Sequence, residues 1–393
     1  MENNLHVLEF ELIPQENGAG LKKGNAYTGT ELVIPSHVEI NGKDYPVIEI
    51  GEYAFSGCVN LTKVVIPVAV KKVGWSAFAY CSNLSSIVVS PENEYLVSKE
   101  KCNAVITKKD KTLVAGCKTT YIPSYVKEIQ GESFMGCTGL TSIDIPASVE
   151  KIGWGAFRGC TGLTKIEIPK TVVKIGCEVF HGCTNLSSII IAEENPEYDS
   201  RENCNAVIET YTNTLISGCK NTTIPDSVKV FKTKAFGDCI GLTSINIPNS
   251  VIDIWPRSFE NCTSLTKVVM GESVAEIGFK AFENCTSLVS INIPNSVTYL
   301  DGYAFANCTS LTSIEIPNSI TEIKRGLFQG CSKLKRIVIP CSVTSIKELA
   351  FDGCDALEDI CVPLGKADYY KGILPKELHP LIKESFIKRD SGF

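Results

Sequence analysis

Histidine is scarce in this chain of 393 residues: His6, His37, His181 and His379 are the whole supply. None falls in a Ser/His/Asp or Cys/His grouping, so nucleophilic catalysis has no residues to use. His181 sits in FHGC, a slot filled elsewhere by Arg158, Glu260 or Gln329, and is expected to be exposed and idle. No glycine-rich loop is present to cradle a phosphate. No CxxC or CxxxC spacing occurs, which removes the usual zinc frame. Neither an enzyme nor a bound metal or cofactor is expected.

Other absences narrow the class further. No apolar run approaches the roughly 18 residues a membrane-spanning helix needs, so membrane insertion is not expected. Neither sign of charge dominates, with 38 Lys and Arg against 44 Asp and Glu and a net charge of −6. That balance argues against nucleic acid as a partner. Residues 1–20 lack the basic start and apolar core of a secretory signal. Either a signal has been removed ahead of them, or the protein works in the cytoplasm.

What the chain has in abundance is self-similarity. A Phe three residues before a Cys recurs eleven times, from Phe55/Cys58 to Phe351/Cys354, mostly at 23-residue intervals. The frame is L-x-x-I-x-I-P-x-S-V-x-x-I-G-x-x-A-F-x-x-C, complete in residues 138–160. Such a period means a solenoid, because one short unit cannot bury its apolar face alone. In LTSIDIP, Ile143 and Ile145 alternate with Ser142 and Asp144, the period of a half-buried strand that Pro146 ends. Val149 and Ile152 form a second short extended segment. The stretch from Trp154 to Leu163 reads as a tight helical or 3₁₀ corner, with Ala156, Phe157 and Cys160 turned inward.

Cysteine is plentiful at 18 residues, yet eleven of them occupy one apolar corner position. There Cys acts as a small hydrophobe, and parallel Cβ atoms one coil apart are slightly too distant for a bridge. These are expected to be buried free thiols. Cys102/Cys117 and Cys204/Cys219 are different, since each pair flanks a predicted hairpin. A disulfide Cys102–Cys117 and a disulfide Cys204–Cys219 are expected if the register sets each pair opposite, and a shift by one pair separates them.

One continuous domain is expected, in three parts. Residues 1–57 form an N-terminal cap and first atypical unit, with a turn over Asn17–Tyr27 and another at Asn41–Gly42. Residues 58–361 form the array, and 362–393 the C-terminal cap, where Leu364, Ala367 and Tyr370 share one face of a short helix. The corner spacing jumps from 23 to 56 residues twice, and 81–182 aligns with 183–284 without a gap. The added segments, near 92–120 and 194–222, read as β-hairpin coils protruding from the stack. Trp255-Pro256 should rebuild its corner locally, and the strand before Gly271 should end on that glycine.

The motif I-P-x-S-V-x-x-I-G-x-x-A-F-x-x-C-x-x-L resembles the BspA-type leucine-rich repeat of bacterial cell-surface proteins. The resemblance implies a mainly β, right-handed, curved leucine-rich-repeat solenoid of parallel strands with short 3₁₀ or helical corners. It also implies a non-catalytic binding role, such as adhesion to host extracellular proteins or other cells, at the cell surface or after secretion. An intracellular interaction scaffold of the same fold is the alternative, and a carbohydrate is a second ligand class. A monomer is expected.

The outward strand positions are the candidate binding face. Ser142, Lys165 and Ser188 belong to one column, and Val88, Asp144, Glu167, Ile190 and Asn246 to the next. Val65, Val88 and Ile190 stand where a solvated face would carry polar residues, although β-branched residues also favour strands for their own sake. The second sheet carries Lys71, Lys72, Lys127, Lys151, Lys174 and Lys229, interrupted by Glu128 and Glu150, and reads as a solvated face. Seven N-x-S/T matches, Asn60, Asn185 and Asn261 among them, arise from the repeat itself and are weak glycan signals.

Overall fold

The computed structural model describes residues 7–385, the Glu100 side chain apart. His6, with the rest of residues 1–6 and 386–393 of the expected caps, lies outside the described residues. The chain forms two compact units, Met1–Asp199 and Ser200–Phe393.

In the first unit, strand Glu9–Ile13 pairs antiparallel with Gly18–Lys23, which pairs parallel with Lys43–Ile50. The turn at Asn41–Gly42 takes positive φ at both residues (53° and 76°), as a tight hairpin needs, and returns Lys43–Ile50 antiparallel to His37–Ile40. Asn17–Tyr27 is not one turn, because residues 18–23 are a strand. A Cβ on Gly18 would stand 2.5 Å from Ile48 Cδ1, so only glycine lets these strands close.

The array lays its long strands side by side. Glu31–Val33, Lys63–Ile66 and Ser86–Val89 pair in parallel register, Leu32 with Val64 and Val64 with Ile87. Lys165–Ile168 pairs likewise with Ser188–Ile191. The short second strand of each coil makes its own ladder, with Glu128–Ile129, Lys151–Ile152 and Lys174–Ile175 in register. The strand expected at 142–145 keeps its alternation, with Ile143 and Ile145 buried, but joins no ladder. Within the inserted coil, Tyr121 gives its N–H to Cys102 O.

The corners are runs of i→i+3 turns. At Phe157, Ala156 N–H bonds Gly153 O, Arg158 bonds Gly155 O, and Cys160 bonds Phe157 O at 3.1 Å. Two left-handed positions flank each buried Phe: Gly155 and Gly159 (φ 56° and 70°) here, Arg257 and Asn261 (59° and 61°) in the second unit. The second of these is almost always Gly, Asn or Asp, the residues that reach that region at least cost. Three N–H groups of most corners cross to the next coil; those of Gly155, Phe157 and Gly159 reach the carbonyls of Cys177, Val179 and His181. Trp255-Pro256 does not rebuild its corner. Pro256 falls at the place of Trp154, whose N–H makes no backbone hydrogen bond among the described residues, and Arg257 and Phe259 still donate onward to Phe279 O and Ala281 O.

The corner thiols are all free, and their bonding explains their recurrence. Cys160 Sγ donates to Phe134 O at 3.1 Å, Cys183 Sγ to Phe157 O at 3.0 Å, and Cys262 Sγ to Phe236 O at 3.2 Å. A small apolar residue with a weak donor suits this site better than Ala or Ser. Burial pushes the thiols of Cys81, Cys137, Cys239 and Cys354 up to about 12. Only Cys341 is exposed and only Cys177 partly so. Under native conditions a maleimide therefore labels Cys341 promptly and the corner cysteines only as the fold opens. Rapid native labelling of Cys262 or Cys285 contradicts the packing described.

The hairpins form as expected, but they do not protrude. Val105–Thr107 turns antiparallel into Thr112–Ala115, which then pairs parallel with Glu128–Ile129 as a member of the short-strand ladder. Nor do they carry disulfides. Val105 faces Ala115, and Cys117 Sγ donates to Asn103 O at 3.2 Å, so the register sets Asn103 rather than Cys102 against Cys117. Cys219 Sγ donates to Asn205 O at 3.3 Å in the same way, and Cys102, Cys117, Cys204 and Cys219 are all free thiols.

The second unit repeats the plan. Val207–Glu209 and Thr214–Ser217 form its hairpin, and Val230–Phe231, Asp253–Ile254, Glu276–Ile277 and Tyr299–Leu300 continue its short-strand ladder. Phe236, Phe259, Phe282, Phe305, Phe328 and Phe351 stack with ring centroids 5.0–6.1 Å apart. Strand Lys267–Met270 ends at Gly271 as expected. The C-terminal segment forms helix Ala367–Lys371, whose Tyr370 is fully buried and donates its hydroxyl to Pro340 O at 2.6 Å. Leu364 does not share that face and is 58% exposed. Strand Ile382–Ser385 then adds parallel to Asp359–Pro363.

One ion cluster sets a pH dependence. Glu322 accepts hydrogen bonds from Lys324 and Lys347, which together draw its carboxyl down to about 2. A lowered carboxyl contributes stability above its ordinary value and loses it as pH falls through the folded one. Exposure of the lysines limits the gain to about 1 kcal/mol. The difference in Tm between wild type and Glu322→Gln should hold at neutral pH and shrink between about pH 4.5 and pH 2. A difference that persists below pH 2 would show another cause.

Candidate binding face

Alternation decides what the long strands show to solvent. Inward Ile166 and Ile168 leave Lys165 and Glu167 outside, and inward Ile189 and Ile191 leave Ser188 and Ile190 outside. Register then brings Lys165 beside Ser188 and Glu167 beside Ile190. Lys165 Nζ and Glu167 Oε1 pair along their strand at 2.6 Å, and Ile190 remains 40% exposed next to them. Ser142 and Asp144 are exposed as expected, on the stretch that joins no ladder. Asn246, in the second unit, lies beside Val269 and borders a shallow recess of about 670 Å³ that also touches Asp226 and Glu272.

The most apolar part of the face is on the first three long strands. Val33, Val65 and Val88 sit in one register row, Val33 56% and Val88 38% exposed. Val33 was not among the sequence candidates, because the widened first unit breaks the repeat frame. Its signal was there in TELVIP, which matches KVVIP residue for residue in pattern. The corner aromatics Trp75, Tyr80 and Trp154 are also exposed, and nothing in the repeat frame marked them.

The short-strand face is largely neutralised. Lys71 pairs with Glu16 at 2.7 Å, Lys72 with Glu49 at 3.0 Å and Lys127 with Glu150 at 2.7 Å. His181 is buried, not exposed; its N–H bonds Glu178 O and its carbonyl accepts from Gly159. The slot varies in charge yet is covered by the neighbouring coils, so Arg158 there pairs with Glu178 at 3.3 Å. His379 Nε2 lies 3.1 Å from Leu374 O. Among the described residues no cluster of three metal-ligating side chains occurs, and no helix is long and apolar enough to cross a membrane.

The comparisons agree with this architecture. Residues 34–103, 114–212, 207–308 and 253–369 match the family described as BspA type leucine rich repeat region. A leucine rich cell surface protein from Faecalibacterium prausnitzii A2-165 is similar in structure, with 28% identity over 93% of this chain and 95% of that one, and a TM-score of 0.57. A leucine-rich repeat protein from Eubacterium ventriosum ATCC 27560 shares the fold at 21% identity over 86% of this chain and 90% of that one, with a TM-score of 0.52. No curated protein matches the sequence. A solenoid of this type is a non-catalytic, protein-binding fold, using extended surfaces and not a reactive pocket. The chain belongs to the BspA-type leucine-rich repeat family.

Proposed function

We propose that this protein is a cell-surface adhesion protein that holds a protein ligand on the outward face of its long strands. The observation that carries this reading is the valine row. Val33, Val65 and Val88 place contiguous apolar surface on a face whose alternation would otherwise leave it polar, and such patches mark interaction sites. The mixed polar row of Lys165, Glu167, Ser188 and Ile190 offers the hydrogen bonds and charge that a protein partner's rim requires. The surface location is supported by the F. prausnitzii likeness, whose described nature is a leucine rich cell surface protein. Host extracellular protein is the ligand class favoured, since many weak contacts along a sheet suit a large partner better than a sugar.

The test is capture from an extracellular-matrix protein extract. Immobilised wild type should retain a specific protein, and Val33→Glu/Val88→Glu should lose about tenfold or more in retention. Both positions are exposed, so the variant should keep the wild-type Tm. Equal retention by both would remove the valine row from the site.

A further inference from the structure

Each run of stacked corners has a closed beginning. Gly24, Gly116 and Gly218 lie flat against the rings of Phe55, Phe134 and Phe236. Their N–H groups satisfy the carbonyls of Ala54, Ser133 and Ala235 at 2.7, 2.9 and 2.8 Å. The far end of the last run is built otherwise. Gly326, Phe328 and Gly330 donate to the carbonyls of Glu348, Ala350 and Asp352 at 3.1, 3.0 and 2.7 Å. The next three donors in that series, the N–H groups of Leu349, Phe351 and Gly353, have no acceptor among the described residues.

Those donors border a cavity of about 610 Å³ between the last corner and residues 372–378. One wall is apolar, made by Leu349, Phe351, Leu374 and Leu378, with Leu349 39% exposed. The rim is acidic. Glu348, Asp352, Asp355 and Glu377 line the cavity with a single cation among the described lining residues, Lys347, which is already held by Glu322 at 2.8 Å. Glu348 lies 4.0 Å from Arg325, and Asp352 accepts from Gln329 at 2.9 Å. Asp355 and Glu377 have no ion-pair partner among the described residues.

We infer that this cavity is a second docking site, separate from the strand face, for a cationic peptide segment of a protein partner. The three donors suit carbonyl oxygens, as the equivalent N–H groups of Gly326, Phe328 and Gly330 are met by the carbonyls of the next coil. Donors alone would also suit an anion, but four carboxylates around them repel one. An apolar side chain of the segment continues the phenylalanine stack beyond Phe351. A Lys or Arg beside it answers Asp355 and Glu377. The site accordingly selects for carbonyls, one apolar side chain and adjacent positive charge.

The experiment uses the whole chain labelled with ¹⁵N at Leu, Phe and Gly. The probes are acetyl-Lys-Leu-Lys-Phe-Lys-amide and its counterpart with glutamate in place of lysine. The lysine peptide should shift the amide signals of Leu349, Phe351 and Gly353, and the glutamate peptide should not. Asp355→Lys/Glu377→Lys, at two exposed positions, should weaken the lysine peptide about tenfold or more while keeping the wild-type Tm. Equal shifts with both peptides, shifts confined to the long-strand face, or undiminished binding by the double variant would overturn the proposal. Because the readout is local to Leu349–Gly353, a failure of the strand-face reading leaves it standing.

Discussion

Phe157→Ala should lower the unfolding free energy by about 3–5 kcal/mol, whereas Arg158→Ala should cost about 1 kcal/mol. The two residues are neighbours in sequence and opposites in environment. Phe157 has no exposed surface, and its ring stacks between Phe134 and Phe180 at 5.2 and 5.8 Å. Its removal leaves a cavity that two rigid coils cannot collapse into, because their spacing is fixed by backbone hydrogen bonds on both sides. Arg158 contributes one partly exposed ion pair with Glu178. Chemical denaturation of the two variants checks this, and matching midpoints would contradict the packing of the corner.

Gly218→Ala should be the second most damaging single change described, costing about 3 kcal/mol. A Cβ at this position would lie 2.1 Å from Cε1 of Phe236, a ring only 1% exposed that stacks on Phe259 at 5.0 Å. The ring cannot swing away without parting from Phe259, and Gly218 cannot retreat without losing its bond to Ala235 O. The comparison variant is Gly42→Ala, where a Cβ meets nothing within 4 Å and only the positive φ of 76° is strained. Thermal melts should rank Gly218→Ala well below Gly42→Ala. The reverse order would mean that Gly218 does not close the phenylalanine stack.

The repeat made the core legible because each coil sets the same residue in the same surroundings. Phe157 and Cys160 declared themselves by recurrence, and the outward places of Lys165, Glu167 and Ile190 followed from strand alternation. The features that escaped depend on what neighbouring coils do. Recurrence of charge in the slot of His181 suggested exposure, but adjacent coils cover that slot. The hairpin at Val105–Ala115 was recognisable, yet its entry into the short-strand ladder is decided by pairing with Glu128–Ile129, more than ten residues on. The cysteines beside it were misplaced by a single register step. Val33 escaped for the opposite reason, since the atypical first unit hides a regular strand. Pro256 looked disruptive only because the ladder's choice of N–H groups cannot be read from one coil.

The candidate binding face was legible as a set of outward positions and not as a ranked site. Composition cannot tell an apolar residue that favours a strand from one that meets a partner. Adjacency separates them: Val33, Val65 and Val88 gain meaning from lying in one row.

We propose that the outward long-strand face, not the ion-paired short-strand face, holds the ligand. The measurement is the affinity of the captured extracellular protein for Asp144→Lys/Glu167→Lys and for Lys71→Glu/Lys72→Glu. All four side chains carry their charge at the surface, so both variants should fold. The first variant should bind more weakly, and the second should keep wild-type affinity. Wild-type affinity for the Asp144/Glu167 variant, with loss confined to the Lys71/Lys72 variant, would place the site on the opposite face.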